Sequence, residues 1–527
     1  MSAAERLALL TTQLTGDDPE LRRIAVRDLP QVPMRQVLGL LVAALNDEDW
    51  RVRKQAIDRL VEWPDVDGVV EAMIGVLADR DDVGARNAAV DALAQIGYDS
   101  VMPMVAAIDP GDERLRKFLI DGLGLIGDER AVPALLVMLR NDDTNLCVAS
   151  AEALGRIGGE DAERALRSTL DPAHLYVCSA ALEALARLHT GAPMSLLLPC
   201  LENPMLRPPA LVLLGWGELD SLPHLLGGLG ATKSREHVSA VLGLAMLLRR
   251  ADEQDRVTIR DTLRTSIGLD SGQRLLKTLE SGPPDARSAA AMILGASNVE
   301  GASRALANGM VDVIASQACI EALIELGDEA VHVLVELAAE ADSELRLELF
   351  EALARIGKQD TAVEELLAAA VVEESDEEVA AAAARALSVV GSENVLTSLQ
   401  KALSFGGPEL ASAAATSLGS LGGDHSEVRL WLCQGLANDE PAVRAACALA
   451  LGELGDPTAC TVLHVQLSDP DTYARLAAIR GLASLGETGI ALLRDRLGQE
   501  DDAEMVGAIR AALEDVRQED DGSGSDA

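Results

Sequence analysis

The sequence predicts an all-α protein, a right-handed superhelical solenoid of about sixteen helical hairpins. Two observations lead there. The chain repeats itself: "DEPAVRAACALALGELGDPTA" begins at Asp439, and "DPDTYARLAAIRGLASLGETGI" begins at Asp469. The composition is also that of packed helices. Hydrophobic residues make up 48% of the 527, yet aromatics are only 2%, so the core is Ala, Leu, Val and Ile. Such a core suits close helix packing better than a sheet sandwich.

The elements follow from the punctuation. Glycines recur at Gly97, Gly127 and Gly158, then at Gly295, Gly327, Gly357, Gly391, Gly422, Gly455 and Gly486. Weaker copies of the phrase end near Pro30, Pro64, His189, Gly217, Leu248 and Val516. A period of about 31 residues is that of a stacked repeat. The unit from Asp128 to Gly158 shows the internal plan. A first helix is expected over Val132–Leu139, with Pro133 in its first turn, where a missing N–H costs nothing. "NDDTN" turns the chain and supplies an N-cap. A second helix is expected over Leu146–Ile157, with Ala149, Ala153, Leu154 and Ile157 on one face and Gly158 as its C-cap. Two short helices cannot bury both apolar faces alone, whereas a stack of such pairs can.

An acidic turn, Val-Arg, an alanine-rich helix with Leu-Gly, then Ala-Val-Pro-x-Leu resembles the HEAT repeat, in the variant named after phycobilisome lyases. The resemblance covers nearly the whole chain. It is strong over residues 40–190 and 285–515 and weak over 190–290, where "LENPMLRPPALVLLGWGELD" and "SIGLDSGQRLLKTLESGPPD" break the rhythm. The expected organisation is HEAT-like repeats over 1–190, irregular repeats forming a hinge over 191–290, and HEAT-like repeats over 291–516. The acidic, Gly/Ser-rich residues 517–527 are expected to be a disordered tail. The resemblance implies a ladder in which each Arg bridges the turns of neighbouring repeats. The pairs in sequence are Asp17 and Arg22, Asp47 and Arg53, Asp81 and Arg86, Asp109 and Arg116, Asp439 and Arg444, and Asp469 and Arg475. A guanidinium suits that task because its planar fork grips carboxylate and carbonyl together.

Charge and motif content narrow the function. The net charge of −40 makes a phosphate backbone an unfavourable partner, so nucleic acid is excluded. No apolar run of about 18 residues occurs, and the start lacks a signal-peptide core, so a cytoplasmic protein without membrane insertion is expected. The seven cysteines form no CxxC and read as small buried hydrophobes in a reducing compartment. None of the seven histidines is followed by Glu, and no two stand at i, i+4, so no metal and no other cofactor is expected. "GGLGATKS", Gly227 to Ser234, has Thr232 where a phosphate-binding loop needs glycine, and reads as a turn between helices. No catalytic residues emerge. The expected function is a non-catalytic scaffold or adaptor for other proteins, by analogy within a prokaryotic signalling (for example chemosensory) or assembly system. The alternative is a bilin lyase-like or other modification factor, with Trp216, His224, Arg235 and His237 as residues that could meet a propionate-bearing ligand.

The resemblance places the second helix of each unit on the concave face. "VAAAAARALSVVG" at 379–391 and "LASAAATSLGSLG" at 410–422 expose mainly Ala and Ser in that reading. Ala381, Ala382, Ser412 and Ala413 are therefore expected to form a bare groove for a partner helix or basic segment. Glu374 and Glu377 in "EESDEEV" would steer that partner.

Overall fold

A computed structural model describes residues 3–30, 35–78, 83–108, 113–423 and 425–522. Among these, 33 α-helices and no strand occur. Thirty-two of the helices pair in sequence order into sixteen hairpins, and Glu253–Ser266 stands outside the pairing. The chain divides into two compact units, Met1–Asp261 and Thr262–Ala527, and the division falls within that extra helix. Each unit is an α-solenoid of eight hairpins.

In the first unit the second helices of hairpins 1 to 8 are Pro19–Asp28, Trp50–Val61, Val83–Ile96, Glu113–Ile126, Thr144–Ile157, Leu175–Arg187, Arg207–Leu214 and Ser234–Arg250. In the second unit those of hairpins 9 to 16 are Pro284–Gly295, Ser316–Leu326, Ser343–Ile356, Glu377–Val390, Pro408–Leu421, Pro441–Glu453, Thr472–Ser484 and Ala503–Gly522. Within each unit, successive second helices pack side by side.

Local chemistry accounts for the boundaries. In hairpin 5 the first helix runs Val132–Met138 and the second Thr144–Ile157, two residues earlier than its apolar pattern suggested. Asp143 starts the second helix by accepting from the Asn145 N–H, and Gly158 stops it at φ +78°. That left-handed conformation is open to glycine at no steric cost. Leu135, Ala149, Ala153 and Leu154 are buried, as the helical spacing required. The "GGLGATKS" stretch joins the helices Leu222–Leu229 and Ser234–Arg250, as the missing glycine implied.

Not every punctuating glycine reverses φ: Gly391 and Gly422 cap their helices at φ −75° and −69°, and Gly295 is itself the last residue of a helix. Gly295 is needed for close approach instead: a Cβ there would lie 2.6 Å from Ala322 Cα. The "Ala-Leu-Gly" glycine of hairpin 5 works the same way. A Cβ on Gly155 would lie 2.5 Å from Ala184 Cβ and 2.8 Å from Ala184 Cα of hairpin 6. Gly155→Val is therefore expected to force the two helices apart and cost about 1–3 kcal/mol in chemical denaturation. Gly75→Ala, in the helix Val66–Ala78 with nothing within 4 Å of its Cβ, should instead stabilise by about 0.5–1 kcal/mol. Equal effects from the two would refute the close-approach account.

The final helix, Ala503–Gly522, takes in residues 517–522 of the expected tail, whose Gln, Glu and Asp carry no helix breaker before Gly522. Residues 523–527 lie outside the described residues.

Candidate functional site

The fourth residue of each second helix is the ladder position. Arg22 donates from Nε and Nη2 to the Asp47 carboxylate at 2.7 and 2.9 Å, and from Nη1 to the carbonyls of Gly16 and Asp17. Arg444 repeats this geometry in the second unit. Its Nε and Nη2 each lie 2.8 Å from Asp469, and its Nη1 lies 2.9 Å from the carbonyls of Asn438 and Asp439. The carboxylate thus comes from the following hairpin, while the hairpin's own acidic turn contributes backbone oxygen. This corrects the pairing read along the sequence: Asp439 meets Arg444, and Asp47 meets Arg53, through main-chain carbonyls. Arg475 likewise donates to the carbonyls of Asp469 and Pro470. Asp81 and Asp109 lie outside the described residues.

Each rung also organises the next turn, since Asp469 accepts from the Asp471 N–H and Asp471 in turn caps Thr472–Ser484. Arg444 beside it holds the Asp469 carboxyl below the usual carboxylate range. The ladder position carries no Arg at Cys147, Cys178, Ala210, His237, Cys319, Ala380, Ala411 and Val506. Cys147 and Cys178 are thus two consecutive substituted rungs. Cys178 lies 3.6 Å, sulfur to sulfur, from Cys200 of the next hairpin, and both are buried.

The alanine strip is corrected by the packing. Ala381 is fully buried, Ala382 and Ala413 are buried, and Ser412 is half-buried with its hydroxyl donating to the Pro408 carbonyl. The helices Glu377–Val390, Pro408–Leu421 and Pro441–Glu453 approach so closely that Ser417 Oγ lies 2.6 Å from the Ala384 carbonyl of the preceding hairpin. Small side chains there admit a neighbouring repeat, which leaves no open groove. The two acids are also engaged. Glu374 pairs with Arg346 and accepts from the Ser375 and Asp376 N–H groups. Burial opposes its charge, but those bonds outweigh it and keep the carboxyl below its ordinary range. Glu377 accepts from the N–H groups of Glu409 and Leu410 at the start of the next second helix.

The second helices of the first unit expose a row of acids. The ninth residue of five consecutive second helices is acidic: Asp58, Asp91, Asp121, Glu152 and Glu183. Asp121 is half-buried and bonded to Lys117 at 2.8 Å, and the other four are exposed. Among the described residues those four have no ion-pair partner. A groove of about 460 Å³ runs between hairpins 5 and 6 on this face, lined by Asn145, Val148, Glu152, Tyr176, Ser179 and Glu183. Tyr176 is exposed there. This row was legible in principle. The acids recur at intervals of 33, 30, 31 and 31 residues, but the glycine and Arg-Ala phrases dominate the repeat and hide it.

A second concavity lies where the repeats are irregular. Trp216 is half-buried, His189 stacks on it at 4.6 Å, and Arg250 lies 5.1 Å from its ring centroid. The adjoining cleft holds about 580 Å³. Of the residues read with Trp216 as ligand groups, His224, Arg235 and His237 do not line it. His237 is buried at a ladder position, its Nδ1 2.8 Å from the Leu229 carbonyl. Among the described residues no group of His, Cys, Asp and Glu is arranged to hold a metal ion, and no helix is long and apolar enough to cross a membrane.

Comparison with known proteins agrees with the repeat. Residues 7–94, 101–186 and 429–514 match HEAT repeats. No curated protein matches the chain. Among solved structures, the karyopherin Kap121p bound to the SUMO protease Ulp1p is similar at 15% identity over 98% of this chain and 78% of that one, with a TM-score of 0.43. Kap121p bound to RanGTP is similar at 15% identity over the same shares, with a TM-score of 0.44.

Proposed function

From these stacked HEAT repeats, we propose a non-catalytic scaffold whose first unit docks a basic, extended segment of another protein across the second helices of hairpins 2 to 6. The observation that carries this is the row of one carboxylate per hairpin, four of them without a partner. Neighbouring helix axes lie about 8–10 Å apart, and an extended chain advances about 3.3 Å per residue. A segment crossing the helices therefore meets one acid about every third residue. The chain's net charge of −40 adds attraction at long range, and salt screens it. The phycobilisome-lyase-like variant of the repeat, a cytoplasmic location and a prokaryotic signalling or assembly setting form part of the same proposal. Bilin lyase-like chemistry is the less supported reading, because the histidines and Arg235 read as its ligand groups stand apart from the Trp216 cleft.

The test uses a fluorescent peptide with Lys at every third position and an isomer with the same lysines in one block. The spaced peptide should bind the full chain more tightly, with an affinity that falls steeply with salt. Reversing Asp58, Asp91, Glu152 and Glu183 to Lys should abolish that binding while circular dichroism stays unchanged, since all four side chains are exposed. Undiminished binding by the reversed variant, or equal affinity for both peptides, refutes the proposal.

A further inference from the structure

The cleft beside Trp216 combines both signs of charge with an apolar floor. One wall is Arg167, whose Nε donates to the Gly191 carbonyl at 3.0 Å and whose Nη2 donates to Glu163 and Thr190 at 3.0 and 2.5 Å. Facing it is Arg250, the last residue of the helix Ser234–Arg250. Its Nη1 reaches toward the carbonyls of Gly215 and Gly217 at 3.3 and 3.4 Å, and its guanidinium lies near the Trp216 ring. Among the described residues no carboxylate lies within ion-pair distance of Arg250, and its Nε and Nη2 carry no hydrogen bond. Exposed, and lying against neutral carbonyls and an aromatic ring, this guanidinium has no carboxylate partner in a protein with a large excess of acid.

The lining also contains Glu218 and Asp220, both exposed, and Met194 and Trp216 provide apolar surface. The loop that closes the cleft is built tightly. His189 adopts φ +58°, the only positive φ outside glycine among the described residues, and its ring stacks on Trp216. A Cβ at Gly191 would lie 2.6 Å from the Trp216 carbonyl oxygen. A bulkier residue at 191 would thus lift the loop off the tryptophan. The φ of His189 caps the helix Leu175–Arg187, with the N–H groups of His189 and Thr190 donating to the carbonyls of Ala186 and Leu185, and it turns the chain so that the imidazole meets Trp216.

We infer that this cleft is a binding site for a small zwitterion with an apolar body, a free amino acid or a short peptide. The carboxylate of the ligand pairs with Arg250, its ammonium group with Glu218 and Asp220, and its apolar part lies on Met194 and Trp216. Polyanions such as phosphates are disfavoured because the acids face the same space. The cleft of about 580 Å³ falls within the range of small-molecule sites and leaves room for more than one residue of peptide. The site lies apart from the carboxylate row, so it neither depends on the docking proposal nor falls with it.

Isothermal titration calorimetry on the full chain decides the matter with five probes: L-phenylalanine, its methyl ester, N-acetyl-L-phenylalanine, the dipeptide Phe-Phe and inorganic phosphate. L-phenylalanine or the dipeptide should bind saturably, and the tighter of the two names the source. Removing the carboxylate as the ester, or substituting Arg250→Gln, should each weaken binding about tenfold or more, as the loss of a charged hydrogen bond does. Acetylating the ammonium, or the Glu218→Gln and Asp220→Asn pair, should weaken it to a similar degree. The ester and acetyl comparisons hold even where a variant fails to fold. No saturable binding by either zwitterion, full affinity for the ester, or phosphate binding tighter than both zwitterions overturns the inference.

Discussion

Glutamate at Ala381 should unfold the stack around hairpins 12 and 13. The side chain of Ala381 has no exposure, so the new carboxylate must either enter a dry interface without a partner or push two second helices apart. An unpaired buried charge is destabilising by about 3–5 kcal/mol even after relaxation. Glutamate at Ala382 or Ala413, which are 9% and 7% exposed, can bend toward solvent and should cost less, so the order of severity is itself a test. Because repeats are stabilised by their neighbours, the loss should appear as an early, partial loss of helicity on heating, with the rest of the chain melting later. A melt of the Ala381→Glu variant that overlays the wild type would mean that this face is open after all.

The second large effect is expected at the Arg444 rung. Replacing Arg444 with Ala leaves Asp469, whose side chain is 3% exposed, charged and without its guanidinium. It also frees two carbonyl oxygens of the preceding turn. The cost should be about 3 kcal/mol, measured by chemical denaturation. Arg22→Ala, which removes the same geometry in the first unit, should behave alike. The pH dependence supplies an independent check. The folded-state pKa of Asp469 is depressed, so the stability from this pair is fully present above the ordinary carboxylate value of about 4. It is lost as pH falls through the lower, folded value. The wild type should therefore lose more stability than Arg444→Ala on acidification below about pH 4. Parallel acid-denaturation curves for the two proteins would remove the rung from the account.

These two expectations put the repeated phrase to work as structure. Its Arg joins one hairpin to the next, its alanines and its helical glycine bring second helices into near contact, and its last glycine ends the helix. The phrase leaves other positions free to vary, such as the ninth residue of the second helix, where hairpins 2 to 6 share a carboxylate and hairpins 12 and 15 carry Arg385 and Arg480.

The sequence by itself determined the helical class, the repeat length, the number of hairpins and, for hairpin 5, the helix ends to within two residues. Those properties rest on contacts within about four residues: an Asp side chain reaching an N–H two residues on, a glycine reversing φ, Leu and Ala recurring at helical spacing. It also determined that an Arg would tie repeats together, though along the chain the nearest acid looked like the partner. Only the tertiary structure decided that the carboxylate comes about 25 residues later, as in Arg22 with Asp47 and Arg444 with Asp469. The same holds for Ala381, Ala382 and Ala413. A helix of alanines reads identically whether its small face meets solvent or another backbone, and the choice depends on the distance to the next helix, which no local pattern encodes. The Trp216 cleft is of this kind too, since it joins residues from two separate turns and from the helices Glu160–Ser168 and Ser234–Arg250.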